Sequence, residues 1–421
     1  MQTPGDQVPR SRIDQALASG ELIADPYPVY AELQRHAPVE WSETLGGWVV
    51  TRHADVQAVL GDHETYSNEG RQNALLERLS ASSGQGYEAL ERHYRKGGII
   101  NSDPPVHTRL RTLVSRAFSK RSVVSLVPRI EALVDELLAA RPDPESWDLM
   151  ADLAAPLPAI VIAELLGAPS ADRTEFTAWS ASINTFLHIP VADPAAAARA
   201  QEAVAAMSAY LDHLLSERRG DPQPGLLTAL AQVDSDGSRL THSEVLATAI
   251  TLLIAGHETT TNLIGNASFA LLRDVEQRRW LAEAGRVDDD AVEELMRYDS
   301  SVQAVKRIVK RDHRLHGAAL RAGQLLFAVT AAANRDESVY ADAQKLNLRR
   351  DRRQDRHLGF GHGIHFCLGA PLARLEVACV LSRLFGASGA SEPTLEAPPT
   401  WKPTFALRGP ASLRLGERPR R

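Results

Sequence analysis

Cysteine is scarce in this sequence: only Cys367 and Cys379 occur among 421 residues. Two cysteines twelve positions apart do not make the disulfide framework that stabilises small secreted proteins. The sequence also contains no Gly-rich dinucleotide-binding loop, no cysteine set for an iron–sulfur cluster, no internal repeat and no low-complexity tract. These absences favour a protein of the reducing cytoplasm.

Long apolar runs and a strong excess of one charge are missing as well. The most apolar stretch, Val245 to Gly256, is shorter than the roughly 20 residues that a membrane-spanning helix needs. The first residues, MQTPGDQVPRSRIDQ, lack the apolar core of a signal peptide. A formal net charge of −6 argues against general binding to nucleic acid or to membrane surfaces. We therefore expect a soluble cytoplasmic protein without nucleic-acid or membrane partners.

The densest chemical signal runs from Phe360 to Arg374 and reads FGHGIHFCLGAPLAR. Three glycines surround its cysteine, Cys367: Gly361, Gly363 and Gly369. Glycines permit positive φ and close backbone approach, which predicts a tight loop before the start of a helix. Amides of that loop and of the helix N-terminus would stabilise a thiolate. A thiolate beside the bulky Phe360 suits a soft metal ligand.

The pattern F-G-x-G-x-x-x-C-x-G-x-x-L-A-R in this stretch resembles the haem-binding loop of the cytochrome P-450 monooxygenases. Every fixed position of that loop is met here. The resemblance implies that Cys367 is the axial thiolate ligand of the iron of haem b. It also implies that Phe360 and Gly369 lie in the haem pocket.

Three other interpretations of the loop compete with haem binding. The first is a glycine-rich turn around a buried cysteine. The second is a zinc site formed by His362, His365 and Cys367, although no fourth ligand lies at a finger-like spacing. The third is a cysteine nucleophile, although nothing in the loop identifies a paired base. The number of fixed positions favours the haem thiolate.

A second segment, Asp103-Pro-Pro-Val-His-Thr-Arg, opens a helix predicted to run to about Phe118. His107 and Arg111 are four residues apart and therefore share a face of this helix. Taken alone, the pattern favours a solvated basic stripe. The family resemblance implies instead that His107 and Arg111 bind a haem propionate. It assigns the same role to two further residues, Arg307 and His365.

A long helix is predicted from Thr241 to about Leu272. Thr241 is a good N-cap, and Glu244 three residues later completes a capping box. The helix is apolar nearly all round, which predicts that it is buried through the middle of the fold. Gly256 weakens it by ~1 kcal/mol relative to alanine, and the threonines that follow can bond back to carbonyls and open the helical ladder. A helix that emerges into solvent at Glu258 is the alternative.

The sequence AGHETT within this helix resembles the oxygen-activation segment of the same family. The resemblance implies that Glu258 is the acid and Thr259 the alcohol of a proton relay. It also places Ala255 beside the haem.

Glu294 and Arg297 form an E-x-x-R pair on one predicted helix. An arbitrary pair of this kind is most often an exposed ion pair worth about 0.3–0.5 kcal/mol. The resemblance implies a buried structural pair that also engages a downstream arginine, here Arg350.

The resemblance extends from Asp25 to Leu415, with all landmarks in the family's order. It implies a mainly α protein with the cytochrome P-450 fold: a large helical domain around a long central helix, and a small β-rich lobe. We expect residues 1–421 to form one domain, with residues 1–20 as a flexible tail. The polar stretch from Glu69 to Ile100 is predicted to be a flexible loop with one or two short helices.

The implied function is a haem–thiolate monooxygenase that activates O2 and hydroxylates, epoxidises or dealkylates a medium-to-large apolar molecule. Because no reductase is fused to the chain, electrons would come from a separate ferredoxin and ferredoxin reductase. A peroxide-using or rearranging haem–thiolate enzyme is the second hypothesis, and a non-catalytic haem binder or sensor is the third. The Glu258–Thr259 pair counts against both.

Two sets of contacts follow from the resemblance. Possible substrate contacts in a roomy, apolar cavity are Phe186, Thr251, Ala255, Ala304, Ala406 and Leu407. A basic face over Cys367 for an acidic redox partner would gather Arg109, Arg116, Lys120, Arg121 and Arg374.

Overall fold

The computed structural model describes most of the chain, with short gaps. The described residues are 10–84, 86–95, 98–118, 123–143, 145–169, 172–188, 193–220, 225–235, 237–351, 356–387 and 391–419. In this part of the chain, no helix is both long enough and apolar enough to cross a lipid bilayer.

Helices dominate the described residues. In chain order they are α1 Arg12–Ser19, α2 Glu21–Ala24, α3 Tyr27–His36, α4 His53–Gly61, α5 Asn73–Ser83, α6 Glu88–Arg95, α7 Val106–Ala117, α8 Val127–Ala139, α9 Pro156–Leu166, α10 Arg173–His188, α11 Pro194–Gly220, α12 Leu226–Gln232, α13 His242–Arg273, α14 Val275–Ala284, α15 Asp289–Tyr298, α16 Thr330–Ala333 and α17 Ala370–Phe385. Short 3₁₀ turns occur at Ile99–Asn101 and Gly363–His365, and a π-helical turn at Met150–Ala154.

The strands are short. They are β1 Val39–Ser42, β2 Gly47–Val50, β3 Tyr66–Ser67, β4 Ser146–Asp148, β5 Asp234–Ser235, β6 Ser238–Arg239, β7 Val305–Val309, β8 His313–Leu315, β9 Ala318–Leu320, β10 Leu325–Ala328, β11 Ser391–Leu395, β12 Thr400–Trp401, β13 Pro410–Ser412 and β14 Arg414–Pro419. The largest sheet has the order β1-β2-β10-β7-β3, and a second has the order β11-β14-β4. The mainly α architecture with a small β-rich lobe is confirmed.

The helix α13 is the structural centre of the helical part. At its start the Thr241 hydroxyl accepts the Glu244 amide, and a Glu244 carboxylate oxygen accepts the Thr241 amide at 2.8 Å. This confirms the predicted capping box, and the helix ends one residue beyond the predicted Leu272. Helices α9, α10, α11 and α17 all pack against it. Residues near both of its ends are buried, so the helix passes through the core.

The C-terminal hairpin β12–β13 is attached directly to this central helix. Asn266 of α13 donates its side-chain amide to the carbonyl of Arg408 at 3.1 Å and to that of Asp299 at 3.2 Å. The Arg408 amide in turn donates to the Ser301 carbonyl at 2.8 Å. A buried asparagine thus joins the end of the chain, the central helix and the segment after α15.

The β-rich lobe brings together strands that are far apart in sequence. Strands β1 and β2 form an antiparallel hairpin, with Trp41 opposite Trp48. Strand β10 pairs in parallel with β2 and antiparallel with β7. The lobe therefore requires both the first fifty residues and those beyond residue 300.

The N-terminal prediction was wrong for residues 12–20. Arg12–Ser19 is a helix, and its Ile13 and Ala16 are buried. Glu40 accepts the backbone amides of Arg12 and Ile13, each at 3.0 Å. Tertiary contacts with β1 thus fix a segment whose own apolar pattern is too short to predict a helix. The rest of the expected tail, residues 1–9, lies outside the described residues.

The polar stretch from Glu69 to Ile100 contains two helices, α5 and α6, as predicted. Both are anchored by apolar side chains, since Leu76, Leu79 and Leu90 are buried in the helical core. The segment is therefore packed over much of its length.

The E-x-x-R pair on α15 is buried. The Glu294 and Arg297 side chains are 0% and 1% exposed, and they form two hydrogen bonds of 2.8 and 2.9 Å. Arg297 also donates to three backbone carbonyls, those of Asn334, Ala343 and Lys345. Arg350 reaches Glu294 at 3.1 and 3.2 Å. The predicted three-residue geometry is therefore present, and it ties α15 to the loop after α16.

Removing one partner of this network should strongly destabilise the fold. We expect Arg297→Met to lower the free energy of unfolding by about 3–5 kcal/mol, because it leaves the Glu294 carboxylate buried with one cation fewer. Arg129→Met is the control, because Arg129 makes equally short ion pairs to Glu136 and Glu164 on an exposed surface. It should cost less than about 1 kcal/mol. Denaturant titration of both variants measures the difference, and equal losses would contradict a special role for the buried network.

Candidate functional site

The loop around Cys367 depends on two left-handed glycines. Gly361 and Gly363 have φ of 77° and 71°. A Cβ on Gly363 would lie 2.8 Å from the carbonyl oxygen of Leu60 in α4, so a side chain cannot fit there. The Cys367 amide donates to the Phe360 carbonyl at 2.9 Å, which closes the loop. Gly369 has an ordinary φ of −80° at the N-cap of α17, so a positive φ does not explain why a glycine occupies this position.

The side chain of Cys367 is exposed, yet burial by surrounding protein raises the pKa of its thiol. The backbone amides of Gly369 and Ala370 oppose this rise by pointing toward the sulfur, as do the more distant charges of Arg111 and Arg374. The predicted amide stabilisation is present, but desolvation outweighs it in the protein alone.

Two histidines meet beside this loop. The rings of His107 on α7 and His365 lie 4.3 Å apart between centroids. Both ring nitrogens of His107 and Nε2 of His365 are buried, and none of the three has a hydrogen-bond partner within the described ranges. Burial, with the charge of Arg111 as a smaller cause, lowers the pKa of each ring. Both histidines are therefore neutral groups that can donate one N–H to a ligand.

Unpaired arginines lie close to these histidines. Arg111 donates to the Phe366 carbonyl at 2.7 Å, which links α7 to the Cys367 loop. Arg307 is 3% exposed and donates only to the carbonyl of Lys306, and burial lowers its pKa to about 9. The structure adds Arg71, whose positive charge acts on both Arg307 and His365. None of the three guanidinium groups has a carboxylate partner among the described residues. Arg71 stands in a polar stretch without a motif, so no sequence signal identified it.

These residues fit a haem group. The orphaned histidine nitrogens and the guanidinium groups of Arg111 and Arg307 are donors suited to two propionates. Apolar surface opens nearby: Phe366 and Ile100 are each 39% exposed, and Ala255 is exposed on the otherwise buried α13. No group of three His, Cys, Asp or Glu side chains among the described residues is placed to hold a metal ion. The zinc site weighed for His362, His365 and Cys367 is therefore not assembled.

The acid–alcohol segment lies within an unbroken stretch of α13. The Thr259 hydroxyl donates to the Ala255 carbonyl at 2.8 Å, and Thr260 and Thr261 bond back in the same way. The predicted back-bonding is thus present, whereas the helix continues to Arg273 without interruption. Leu263 and Ile264 are buried, so the helix does not leave the core at Glu258.

Glu258 is held by a cation that sequence reasoning missed. The Lys402 ammonium donates to Glu258 Oε1 at 3.1 Å and to Asn262 Oδ1 at 2.9 Å. Oε2 of Glu258 is buried without a partner. The two charged residues are 144 positions apart, and no motif connects them.

The six predicted substrate contacts differ in accessibility. Ala304 and Leu407 are neighbours, because the Ala406 carbonyl accepts the Gln303 amide at 2.9 Å and Val302 forms a β-bridge with Leu407. Thr251 lies one helical turn before Ala255 and bonds back to the Ala247 carbonyl. Phe186 is 1% exposed within the helical core and offers almost no surface to a ligand. Only Ala255 is exposed, so the contacts of the other residues stay predictions.

The expected basic docking face is largely compensated by acids. Arg109 forms an ion pair with Glu244, and Arg374 forms one with Glu293 at 2.5 Å. Arg116 is exposed and donates to the Asp234 carbonyl. Acidic partners therefore offset the charge of Arg109 and Arg374, and the docking face stays a prediction. Its remaining members, Lys120 and Arg121, lie outside the described residues.

Comparison with known proteins gives one consistent result. A sequence model described as cytochrome P450 matches residues 64–283 and 288–398. The cytochrome P450 monooxygenase PikC of Streptomyces venezuelae is 39% identical over 412 residues, which cover 95% of this chain and 93% of PikC. The vitamin D(3) 25-hydroxylase of Pseudonocardia autotrophica is 40% identical, with 88% of each chain covered.

Solved structures agree with the sequence relatives. The structure of cytochrome P450 CYP109Q5 from Chondromyces apiculatus superposes with a TM-score of 0.83 at 33% identity, covering 96% of this chain and 98% of that one. The predicted fold is thereby confirmed. This protein belongs to the cytochrome P450 family and is a haem-dependent monooxygenase.

Proposed function

We propose that this protein inserts oxygen into a medium-to-large apolar molecule by hydroxylation, epoxidation or dealkylation, with Cys367 as the axial ligand of haem b. Electrons would come from a separate ferredoxin and its reductase. We also infer that the chain works as one domain, because β2 of the hairpin β1–β2 pairs with β10.

One observation carries this proposal: donors without partners among the described residues lie beside the loop that bears the free thiol. His107 and His365 offer buried nitrogens, and Arg111 bridges to the backbone beside Cys367. Haem b needs one soft ligand and donors for two carboxylates. A non-catalytic structural core has no use for this combination, because unpaired buried donors are costly.

Each residue around the haem would have a distinct task. Cys367 would bind the iron as a thiolate, since a coordinating thiol is deprotonated outright. Arg111 and Arg307 would pair with the propionates as cations, and His107 and His365 would donate to them as neutral rings. A thiolate-ligated haem supplies the reductive activation of dioxygen.

The residues of α13 would control protons. Thr259 presents a hydroxyl oxygen whose own hydrogen is directed to the Ala255 carbonyl, so the oxygen can accept a hydrogen bond. Glu258 would supply protons from the side where Lys402 holds one of its carboxylate oxygens. Oε2 of Glu258 has no partner among the described residues, so it can bind water or a group on the Thr259 side of the cleft.

The identity of the axial ligand can be tested by spectroscopy. The ferrous–carbon monoxide form of the wild type should show the strongly red-shifted Soret band of thiolate ligation, and Cys367→Ala should lose it. Cys379→Ala is the matched control, because Cys379 is the only other cysteine. An intact red-shifted band in Cys367→Ala would contradict the assignment of Cys367 as the axial ligand.

The propionate role predicts a change in haem retention. Losing a charge-assisted bond worth about 1.5–3 kcal/mol should raise the rate of haem loss of Arg111→Ala roughly tenfold or more. Transfer of haem to an excess of apomyoglobin measures that rate. Arg116→Ala serves as the control, because Arg116 lies on the same helix with its side chain exposed. Equal loss rates in both variants would remove Arg111 from the site.

The alcohol role predicts uncoupling rather than inactivity. Thr259→Ala should still bind substrate and oxidise the electron donor, but release more hydrogen peroxide and less oxygenated product per electron pair. Thr261→Ala is the control, because Thr261 makes the same back-bond on the same helix and is buried. Donor, peroxide and product are measured together with a substrate found by its shift of the haem spin state.

The acid role predicts a slower reaction. Glu258→Gln keeps the shape of the side chain but removes its titratable group. Turnover should therefore fall by ~10²–10⁴-fold, as expected for the loss of a general acid. If Thr259→Ala remains fully coupled and Glu258→Gln remains fast, the proton relay is wrong. The peroxide-using or rearranging alternative would then explain the site better.

A further inference from the structure

Arg71 is a buried cation that the proposed function leaves without a task. It lies between β3 and α5, and its Nε and Nη2 donate to Oδ1 of Asn101 at 3.3 and 3.0 Å. Nη2 also donates to the Ile100 carbonyl at 3.1 Å. These bonds fix the guanidinium group against the segment that precedes α7. Nη1 has no partner among the described residues.

The side chain of Arg71 is only partly open at its surface. Burial lowers the pKa of Arg71 to about 10. Because its pKa stays well above neutrality, Arg71 remains a cation.

Arg71 adds to a local excess of positive charge. Burial is the main cause of the lowered pKa of Arg307, and the charge of Arg71 is the next, so the two guanidinium groups repel one another. Asp103 opposes this effect only weakly and forms its own ion pair with Lys310 at 3.5 Å. Two like charges in the interior repel one another and lose hydration, so a bound anion would stabilise them.

The haem accounts for only part of this excess. This step rests on the proposed function. Ferric iron, the porphyrin dianion and the Cys367 thiolate cancel one another, and the two propionates match Arg111 and Arg307. The charge of Arg71 is left over.

Polar groups near Arg71 lack partners in the described part of the chain. They are Nδ2 of Asn101, the hydroxyl of Tyr94 and Nδ1 of the neighbouring His93, and all three are buried. Burial raises the pKa of Tyr94, so its hydroxyl remains a donor at neutral pH. Arg71 is close enough to act on that pKa. The cluster therefore offers an amide, a hydroxyl and a guanidinium N–H to one acceptor group.

The backbone places this cluster beside the distal face of the central helix. A Cβ built on Gly98 would lie 3.5 Å from Asn101 Nδ2 and 3.7 Å from Thr251 Oγ1. Thr251 is one turn before Ala255, the exposed residue of α13. The unpaired donors are thus adjacent to the space in which the substrate would meet the haem.

We propose that Arg71, assisted by Asn101 and Tyr94, binds a carboxylate on the substrate. The substrate class is then an apolar carboxylic acid: an extended hydrocarbon body with one anionic end. The apolar body would lie toward Ala255, and the acid end would fix which carbon faces the haem.

The test uses probes anchored at the iron. Imidazol-1-yl alkanoic acids with chains of 6 to about 12 carbons, and the matching 1-alkylimidazoles, bind ferric holoenzyme and shift its Soret band. At one or more chain lengths the acid should bind the wild type about tenfold to hundredfold more tightly than its neutral match, as one charge-assisted contact predicts. In Arg71→Gln the acid should lose that advantage, whereas the alkylimidazole should bind as before. Arg321→Gln, at an exposed ion pair with Asp312, should behave like the wild type.

Two results would overturn the inference. One is a wild type that binds acid and neutral probes alike at every chain length, a comparison that needs no variant to fold. The other is an Arg71→Gln enzyme that loses haem as fast as Arg111→Ala, because Arg71 would then serve a propionate. Failure of the haem–thiolate assignment would be recognised separately, by the carbon monoxide spectrum of the wild type and of Cys367→Ala.

Discussion

Positive charge without matching negative charge is buried in this protein, and much of its functional design depends on that imbalance. Arg71, Arg111 and Arg307 converge with two neutral histidines and have no carboxylate partner among the described residues. A buried, unpaired charge costs several kcal/mol. The polypeptide therefore gains stability when an anionic ligand enters, and haem binding and folding are thermodynamically linked. We propose Cys367 as the iron ligand at the same place, so haem binding would satisfy the thiol, Arg111 and Arg307 together.

The parts of the site that sequence could predict are those encoded within a few residues. The Cys367 loop is recognisable because Gly361 and Gly363 need positive φ and because Gly363 touches the backbone of α4. The pair of Glu294 and Arg297 is recognisable by its spacing on one helix. By contrast, Lys402 and Arg71 reach the site from distant, irregular segments. Their roles depend on tertiary contacts, which no local pattern records.

The same division applies to the fold. The capping box at Thr241 and the apolar character of α13 predicted the central helix to within a residue at its end. The helix Arg12–Ser19 was missed, because eight residues with two buried apolar side chains carry too weak a periodic signal. Its stability comes from Glu40, which binds its first amides, and from the Asp14 carboxylate, which accepts the Ser42 hydroxyl at 2.6 Å. Tertiary bonding decided its structure.

The attachment of the hairpin β12–β13 to α13 has a consequence for how the core forms. Asn266 and Asn262 in the buried helix find partners in Arg408 and Lys402, which lie 142 and 140 positions further along the chain. Contacts between residues so far apart in sequence form late in folding, because the entropy cost of closing a long loop comes before the contact rewards it. The central helix therefore reaches its final environment only after these distant contacts have formed.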